Sequence, residues 1–303
     1  MMPAHQVARG ELRRNEPMNR HVSWRAGGRA RQFYRPRHRE DFLEFLCARP
    51  AQETLFLLGL GSNLLVREGG IDATVIQMHG ALKEVKWEEE GCLRIEAGVP
   101  APKVARLAAR AGCGGAEFLA GIPGTMGGVL AMNAGCYGAE IWNYVHQVET
   151  VDRLGVLRWR TPDDYDIGYR SVSLRAECRF GPEEWFLSVL LRFPAGDSET
   201  ARTRIRSLLA QRVAEQPLEL PNAGSVFRNP PGDYAARLIE GCGLKGKRIG
   251  GAEVSRKHAN FIVNRGQATA ADIETLVAEI QSRILAEKGV CLHPEVRIVG
   301  ERA

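Results

Sequence analysis

The stretch GIPGTMGGVLAMNAGCYG, Gly121 to Gly138, carries glycine or proline at seven of its eighteen positions. A chain that clears side chains so completely from one run brings something close to its backbone there. Glycine removes the Cβ penalty at positive φ and leaves N–H groups accessible, so Gly121-Ile122-Pro123-Gly124-Thr125-Met126-Gly127-Gly128 can curl its amides toward one anion. An earlier run, Leu57-Leu58-Gly59-Leu60-Gly61-Ser62-Asn63-Leu64-Leu65-Val66, sets two glycines, a hydroxyl and an amide between apolar, strand-like flanks. It lacks the third glycine of a Rossmann fingerprint, because Leu64 stands there, and Arg67-Glu68-Gly69-Gly70 breaks the chain where the fingerprint needs a helix. Two phosphate-suited turns about sixty residues apart instead suggest an extended ligand whose diphosphate is gripped from two sides. A dinucleotide cofactor fits.

With 303 residues, 44% of them hydrophobic, the chain can bury a large core in one or, better, two domains. Its seven cysteines are odd in number and too far apart for CxxC or zinc spacing, and read as reduced, mostly buried thiols. No metal site is expected. The opening MMPAHQVARGELRRNEP lacks an apolar core, and no run reaches the length of a membrane span, so a cytoplasmic location without membrane association is expected. A net charge of +5, dispersed and poor in neighbouring aromatics, argues against nucleic acid and leaves small anions as partners.

From Trp24 to Phe193 short apolar runs alternate with turns. Residues 73–78, 93–97 and 185–191 read as strands. A helix after Pro102 places Val104, Leu107, Ala108 and Ala111 on one face, with Gly112 to end it. The strand pattern stops at Phe193-Pro194-Ala195-Gly196-Asp197-Ser198, and a helical one begins with Ile205, Leu208, Leu209 and Val213 on one face. Near the end, Thr269 and Asp272 have capping-box spacing before an apolar stripe of Ile273, Leu276, Val277, Ile280 and Ile284, stopped by Gly289. The pattern is α+β.

Seven motifs in order, Ala26-Gly27-Gly28, residues 58–66, residues 121–138, Gly168-Tyr169-Arg170-Ser171, Ala223-Gly224-Ser225-Val226-Phe227, residues 254–264 (VSRKHANFIVN) and His293-Pro294-Glu295-Val296, resemble the UDP-N-acetylenolpyruvoylglucosamine reductases. The resemblance runs nearly end to end. It implies a vanillyl-alcohol-oxidase/PCMH-like, two-lobed FAD-binding region over residues 21–195, with lobes of about 21–80 and 81–195, after an N-terminal arm of residues 1–20. A smaller α+β substrate domain would cover residues 198–303. Noncovalent FAD would lie between the lobes, one wall formed by Gly59, Gly61, Ser62, Asn63 and Leu64, the other by Gly121, Ile122, Pro123, Gly124, Thr125, Gly128, Asn133 and Gly135.

The implied reaction takes hydride from NADPH and delivers it to the enolpyruvyl group of UDP-N-acetylglucosamine enolpyruvate, giving UDP-N-acetylmuramate for peptidoglycan. On that resemblance Arg170 pairs with the substrate carboxylate, Ser225 donates the proton, and Glu295 supports the enolate-like state. Tyr169, Arg212, Arg228, Asn229, Lys257 and His258 would contact the UDP-sugar, and the chain is expected to act as a monomer. Few residues separate Arg170 from the strand near Trp185, so the chain resembles the subclass without the inserted loop that sets an extra tyrosine over the substrate. Two other readings stay open here: a flavin oxidase of the same fold with covalent flavin, for which Cys136 is the one candidate in the glycine-rich run, and a nucleotide-sugar binding protein without redox activity.

Overall fold

The computed structural model describes residues 10–88, 91–179, 181 and 183–302. Six α-helices lie along these residues: α1 (Arg39–Cys47), α2 (Ala101–Arg110), α3 (Met126–Ala131), α4 (Ser198–Glu215), α5 (Ala235–Gly241) and α6 (Ala270–Lys288). The three strands expected from the apolar runs are present as Ile71–Gln77, Cys92–Glu96 and Glu184–Arg192. The fold is α+β. Residues 1–9 of the expected N-terminal arm lie outside the described residues; from Glu11 to Pro17 the chain is a β-strand, and Met18, which follows, is fully buried.

Two compact units interleave in sequence. One comprises Gln32–Gly59 and Ala73–Leu208 with residues 10–14; the other comprises Asn15–Arg31, Leu60–Asp72 and Leu209–Ala303. The first is built on a five-stranded antiparallel sheet in the order Leu157–Arg160, Val145–Asp152, Glu184–Arg192, Cys92–Glu96, Val85–Trp87. One core packs Leu93, Ile95, Val148, Val189 and Leu191 of this sheet with Val104 and Ala108 of α2 and Val129 and Leu130 of α3. A second core joins Val151 and Leu187 to Phe42 and Leu46 of α1 and to Leu55 and Ile76, which lie on a parallel strand pair. Across the sheet Glu149 faces Ser188, and Ser188 faces Glu96. Glu149 takes a bidentate pair from Arg39, together with Arg94 at 3.0 Å and the Ser188 hydroxyl at 2.7 Å. Burial raises the Glu149 carboxyl, but those donors outweigh burial and hold it below its ordinary range.

Helix α2 begins with Pro102 in its first turn and ends before Gly112, whose φ is +72°. Its buried stripe is Ala101, Val104, Ala105, Ala108 and Ala109. This differs from the expected face: Leu107 is half-buried, and Ala111 lies beyond the last helical turn and is exposed. In α4 the expected stripe is also cut short. Ala201, Ile205 and Leu208 are buried, whereas Leu209 and Val213 are exposed, because the core takes in only the first half of the helix.

The second unit has a three-stranded antiparallel sheet (Arg248–Ile249, Ala252–Val254, Ile262–Asn264) and a parallel pair, Leu64–Val66 with Arg297–Val299. The Thr269–Asp272 capping box forms, Ile273, Leu276, Val277, Ile280 and Ile284 are buried, and Gly289 closes α6 in the left-handed region. Trp24, fully buried in the same core, donates its indole N–H to the Ile262 carbonyl at 2.8 Å and accepts at its own carbonyl from Asn264 Nδ2 at 2.9 Å. These bonds stitch an N-terminal segment into a unit made mostly from the C-terminal third, with Leu60–Asp72.

Candidate functional site

The first glycine run connects strand Leu55–Leu58 to strand Leu64–Val66, so no helix follows it and the Rossmann reading is excluded on geometry. Gly59 is pressed against the second run: a Cβ there would strike Thr125 Oγ1 and lie 3.4 Å from Thr125 Cβ. Gly61 has φ +62°, and a Cβ on it would meet the His21 carbonyl and approach Val22 Cα to 2.9 Å. Only glycine fits both demands. Ser62 and Asn63 are half-buried and Leu64 is buried. Asn63 reaches further than its turn: its Nδ2 donates to the Glu295 carbonyl at 3.0 Å, and its own carbonyl accepts from the Arg297 N–H at 3.0 Å.

Between Ile122 and Gly128 of the second run four amides are already engaged. Ile122 donates to Leu119 O, Gly124 to Ile122 O, Met126 to Val99 O and Gly127 to Ala97 O, at 2.8–3.2 Å. The run is therefore a less open amide nest than its sequence suggests. Among the described residues the Thr125 and Gly128 N–H groups meet no protein acceptor. Thr125 is buried and occupies the N-cap position of α3 without a side-chain cap bond, whereas Pro123 and Gly128 are exposed and, beyond the adjoining residues and the helix's own backbone, no protein atom lies within 4 Å of a Cβ built on Gly128. Protein packing gives no reason for glycine at 128. The half-buried Gly121 is held by its neighbours, since a Cβ would come 2.9 Å from the Tyr137 ring, and at Gly135 a Cβ would meet the Ala139 carbonyl. Cys136 donates its thiol to the Phe118 carbonyl at 3.1 Å.

Tyr169 and Arg170 form the two-residue turn of a hairpin in which Gly168 pairs with Ser171. Arg170 has φ +53°, an uncommon conformation for a non-glycine residue and one that clusters at working sites. Its guanidinium donates to the Asn133 carbonyl at 3.2 Å and the Gly135 carbonyl at 2.7 Å, lies 4.0 Å from Glu140, and sits 4.9 Å from the centre of the exposed Tyr169 ring. Arg170 is thus attached to the second glycine-rich run.

Ser225 and Glu295, far apart in sequence, are joined through one residue: the Glu295 N–H donates to the carbonyl of Val226 at 2.7 Å. Both are half-buried, and Glu295 sits in the bend just before strand Arg297–Val299 rather than within it. The Ser225 segment is fixed by Asn260, which sequence reasoning quoted in a motif but gave no role. Asn260 is buried; its main-chain carbonyl accepts from Val226, and its side chain exchanges two bonds with the Phe227 backbone at 2.9 and 2.8 Å. Glu140 was likewise missed, and nothing in its local sequence marks it.

The expected UDP-sugar residues have varied settings. Arg228 follows the Ser225 turn; its Nε is buried without a protein partner, and its backbone donates to His293 O at 2.9 Å. A buried guanidinium nitrogen without an acceptor is suited to a ligand oxygen. Asn229 is exposed and accepts from Ala235 N–H at the start of α5, Lys257 Nζ donates to Val213 O at 2.6 Å, and Arg212 Nε donates to Gln216 at 3.0 Å. His258 stacks edge-on against Phe261 and accepts at Nδ1 from Asn260 N–H; burial lowers its pKa and so disfavours the protonated ring. Among the described residues no cluster of three potential metal ligands occurs, and no helix is long and apolar enough to cross a membrane.

Residues 30–160 match the FAD binding domain family, and residues 216–299 match the family described as UDP-N-acetylenolpyruvoylglucosamine reductase, C-terminal domain. The chain is 53% identical to a UDP-N-acetylenolpyruvoylglucosamine reductase of Thiobacillus denitrificans, over 98% of this chain and 94% of the other. It is also 53% identical to one of Methylococcus capsulatus, over 97% and 95%. A solved UDP-N-acetylenolpyruvylglucosamine reductase (MurB) of Thermus caldophilus superposes with a TM-score of 0.79 at 31% identity, covering 96% of this chain and 98% of that one. With an FAD-binding domain, the matching C-terminal domain and relatives along nearly its whole length, the chain belongs to the UDP-N-acetylenolpyruvoylglucosamine reductases.

Proposed function

We propose that the family's reaction, the NADPH-dependent reduction of UDP-N-acetylglucosamine enolpyruvate to UDP-N-acetylmuramate, is carried out here with Arg170, Ser225 and Glu295 as the catalytic residues. The residues present fit FAD. Gly59 against Thr125, the exposed Gly128 with space at its Cβ, and the unengaged Thr125 and Gly128 amides provide a backbone surface suited to a diphosphate. Gly59, Gly61, Ser62, Asn63 and Leu64 on one run, and Gly121, Ile122, Pro123, Gly124, Thr125, Gly128 and Gly135 on the other, would hold the cofactor, whereas the Asn133 side chain is already bonded within the protein. Bound FAD would supply two-electron, hydride-transfer chemistry between NADPH and the enolpyruvyl group.

The protein's own residues handle charge and proton. Arg170, permanently cationic and planar, binds the substrate carboxylate and stabilises the negative charge that builds as hydride arrives. Ser225 delivers the proton to the neighbouring carbon, and Glu295 supports the enolate-like state. The observation that carries this assignment is the direct backbone link between the Ser225 and Glu295 segments. Tyr169, Arg212, Arg228, Asn229, Lys257 and His258 contact the UDP-sugar in this reading; the unpartnered Arg228 Nε gives it most support. The division into an FAD-binding region at 21–195 and a substrate domain at 198–303 belongs to the same proposal. So do a monomeric state, tested by sedimentation, and a cytoplasmic location, which the seven free thiols favour.

The test is a pair of half-reactions. Purified protein should be yellow, release FAD on acid denaturation, be bleached by NADPH and regain colour with the enolpyruvyl substrate, with parallel double-reciprocal plots in steady state. Flavin retained covalently after denaturation would favour the oxidase reading, and a colourless protein that cannot be reconstituted would favour the binding protein.

A further inference from the structure

Asn133 was placed in the flavin wall by its motif, yet its side chain is engaged elsewhere. It is 2% exposed and held at φ +40°. Its Nδ2 donates to Glu140 Oε2 at 2.8 Å and to the Gly168 carbonyl at 3.1 Å, while its Oδ1 accepts from the Trp142 N–H at 3.4 Å. Both amide protons and one acceptor position are used within the protein. The same residue's main-chain carbonyl accepts from Arg170 Nη1 at 3.2 Å.

Residue 133 therefore holds the Tyr169–Arg170 turn at two points. Its side chain fixes Gly168, the residue before the turn, and its backbone fixes the guanidinium that the turn presents. Glu140, bonded to the Asn133 amide and 4.0 Å from Arg170 Nη1, closes the set. Asn133 and Arg170 both occupy the left-handed region, and such strain persists only where surrounding bonds determine the conformation. Asparagine suits the position because it tolerates positive φ and its amide both donates and accepts. Aspartate would lose both donors and set a second carboxylate beside Glu140.

We infer that Asn133 is a positioning residue for Arg170: it sets the direction of the guanidinium toward the substrate carboxylate and so governs the second half-reaction. The inference rests on the role proposed above for Arg170. A misdirected carboxylate clamp is expected to slow hydride delivery by about tenfold to a hundredfold while leaving flavin reduction alone.

Asn133→Gly keeps the positive φ without strain and removes only the side chain. The expected result is wild-type FAD content, flavin reduction by NADPH within twofold of wild type, and reoxidation by the enolpyruvyl substrate slowed about tenfold to a hundredfold. In an Arg170→Lys background the same change should add little, since the two residues act as one unit. Amide hydrogen exchange at residues 168–171 of the FAD-free protein should accelerate, a readout independent of turnover. Asn133→Asp, which also tolerates the backbone, should show the same half-reaction split if Asn133→Gly folds poorly. Wild-type reoxidation in both variants overturns the inference. So does a proportional loss of FAD content or of flavin reduction, which would return Asn133 to the cofactor. If wild-type protein is not reoxidised by the enolpyruvyl substrate, the proposed function fails, and unchanged exchange at 168–171 would then overturn the positioning role separately.

Discussion

Gly128→Ala separates what the fold needs from what the cofactor needs. Gly128 lies within α3, is exposed, has no protein atom beyond the adjoining residues and the helix's own backbone within 4 Å of a built Cβ, and does not have positive φ. For the apoprotein the change should be neutral or helpful, since alanine favours a helix interior over glycine by about 0.5–1 kcal/mol. Apoprotein melting should therefore rise by about 1–3 °C or stay level. For the holoprotein the same methyl enters the surface on which a diphosphate would rest, and overpacking of that kind costs about 1–3 kcal/mol. FAD affinity should fall by about fivefold to 150-fold. Calorimetry of the apoprotein and titration of FAD by fluorescence quenching measure the two quantities on one preparation. A variant that binds FAD as tightly as wild type would remove Gly128 from the cofactor wall and refute the argument that an unneeded glycine marks ligand approach; a destabilised apoprotein would show that packing does require it.

Three further outcomes follow from particular residues. Ser225→Ala should leave flavin reduction by NADPH intact and slow reoxidation by the enolpyruvyl substrate about a hundredfold to ten-thousandfold, with Ser225→Cys retaining more activity; wild-type reoxidation in the alanine variant would move the proton donor elsewhere, with Glu295 first in line. Gly61→Ala should destabilise even the apoprotein by about 2–3 kcal/mol, from the left-handed strain and loss of the Ser23 N–H to Gly61 O bond, read as a lower urea midpoint. His258, lowered by burial, takes up its proton in the unfolded chain before the folded one, so its contribution to stability is present above its ordinary value of 6.5 and is lost as pH falls below it. His258→Gln should flatten the decline in urea stability between about pH 6.5 and 5; an unchanged slope would mean that the ring titrates alike in both states.

Much of the architecture was legible because it depends on neighbours in sequence. Thr269 and Asp272 reach each other across one helical turn, so their capping box forms as the spacing requires, and the stripe from Ile273 to Ile284 is buried as its period demands. The faces of α2 and α4 were less legible. Periodicity marked the helices, but the extent of each contact surface depends on the partner: the first half of α4 is covered and Val213 is left exposed.

At the candidate site the division is sharper. The sequence by itself determined where the backbone must bend and which chemical groups are on offer: Gly61 at positive φ, a run cleared of side chains around Gly128, an arginine in a Gly-Tyr-Arg-Ser turn, a serine and a glutamate in distant motifs. Those properties follow from sterics and functional groups within a few residues. Tertiary structure alone decided the partners. It closed four amides of the second glycine run on carbonyls, carried Asn63 to the backbone of Glu295, joined Glu295 to the residue after Ser225, and turned Asn133 toward the hairpin of Arg170. Apart from two of the amides, these bonds link segments that are distant in the chain, and a donor with several acceptors in reach is assigned only when packing brings one of them within about 3 Å.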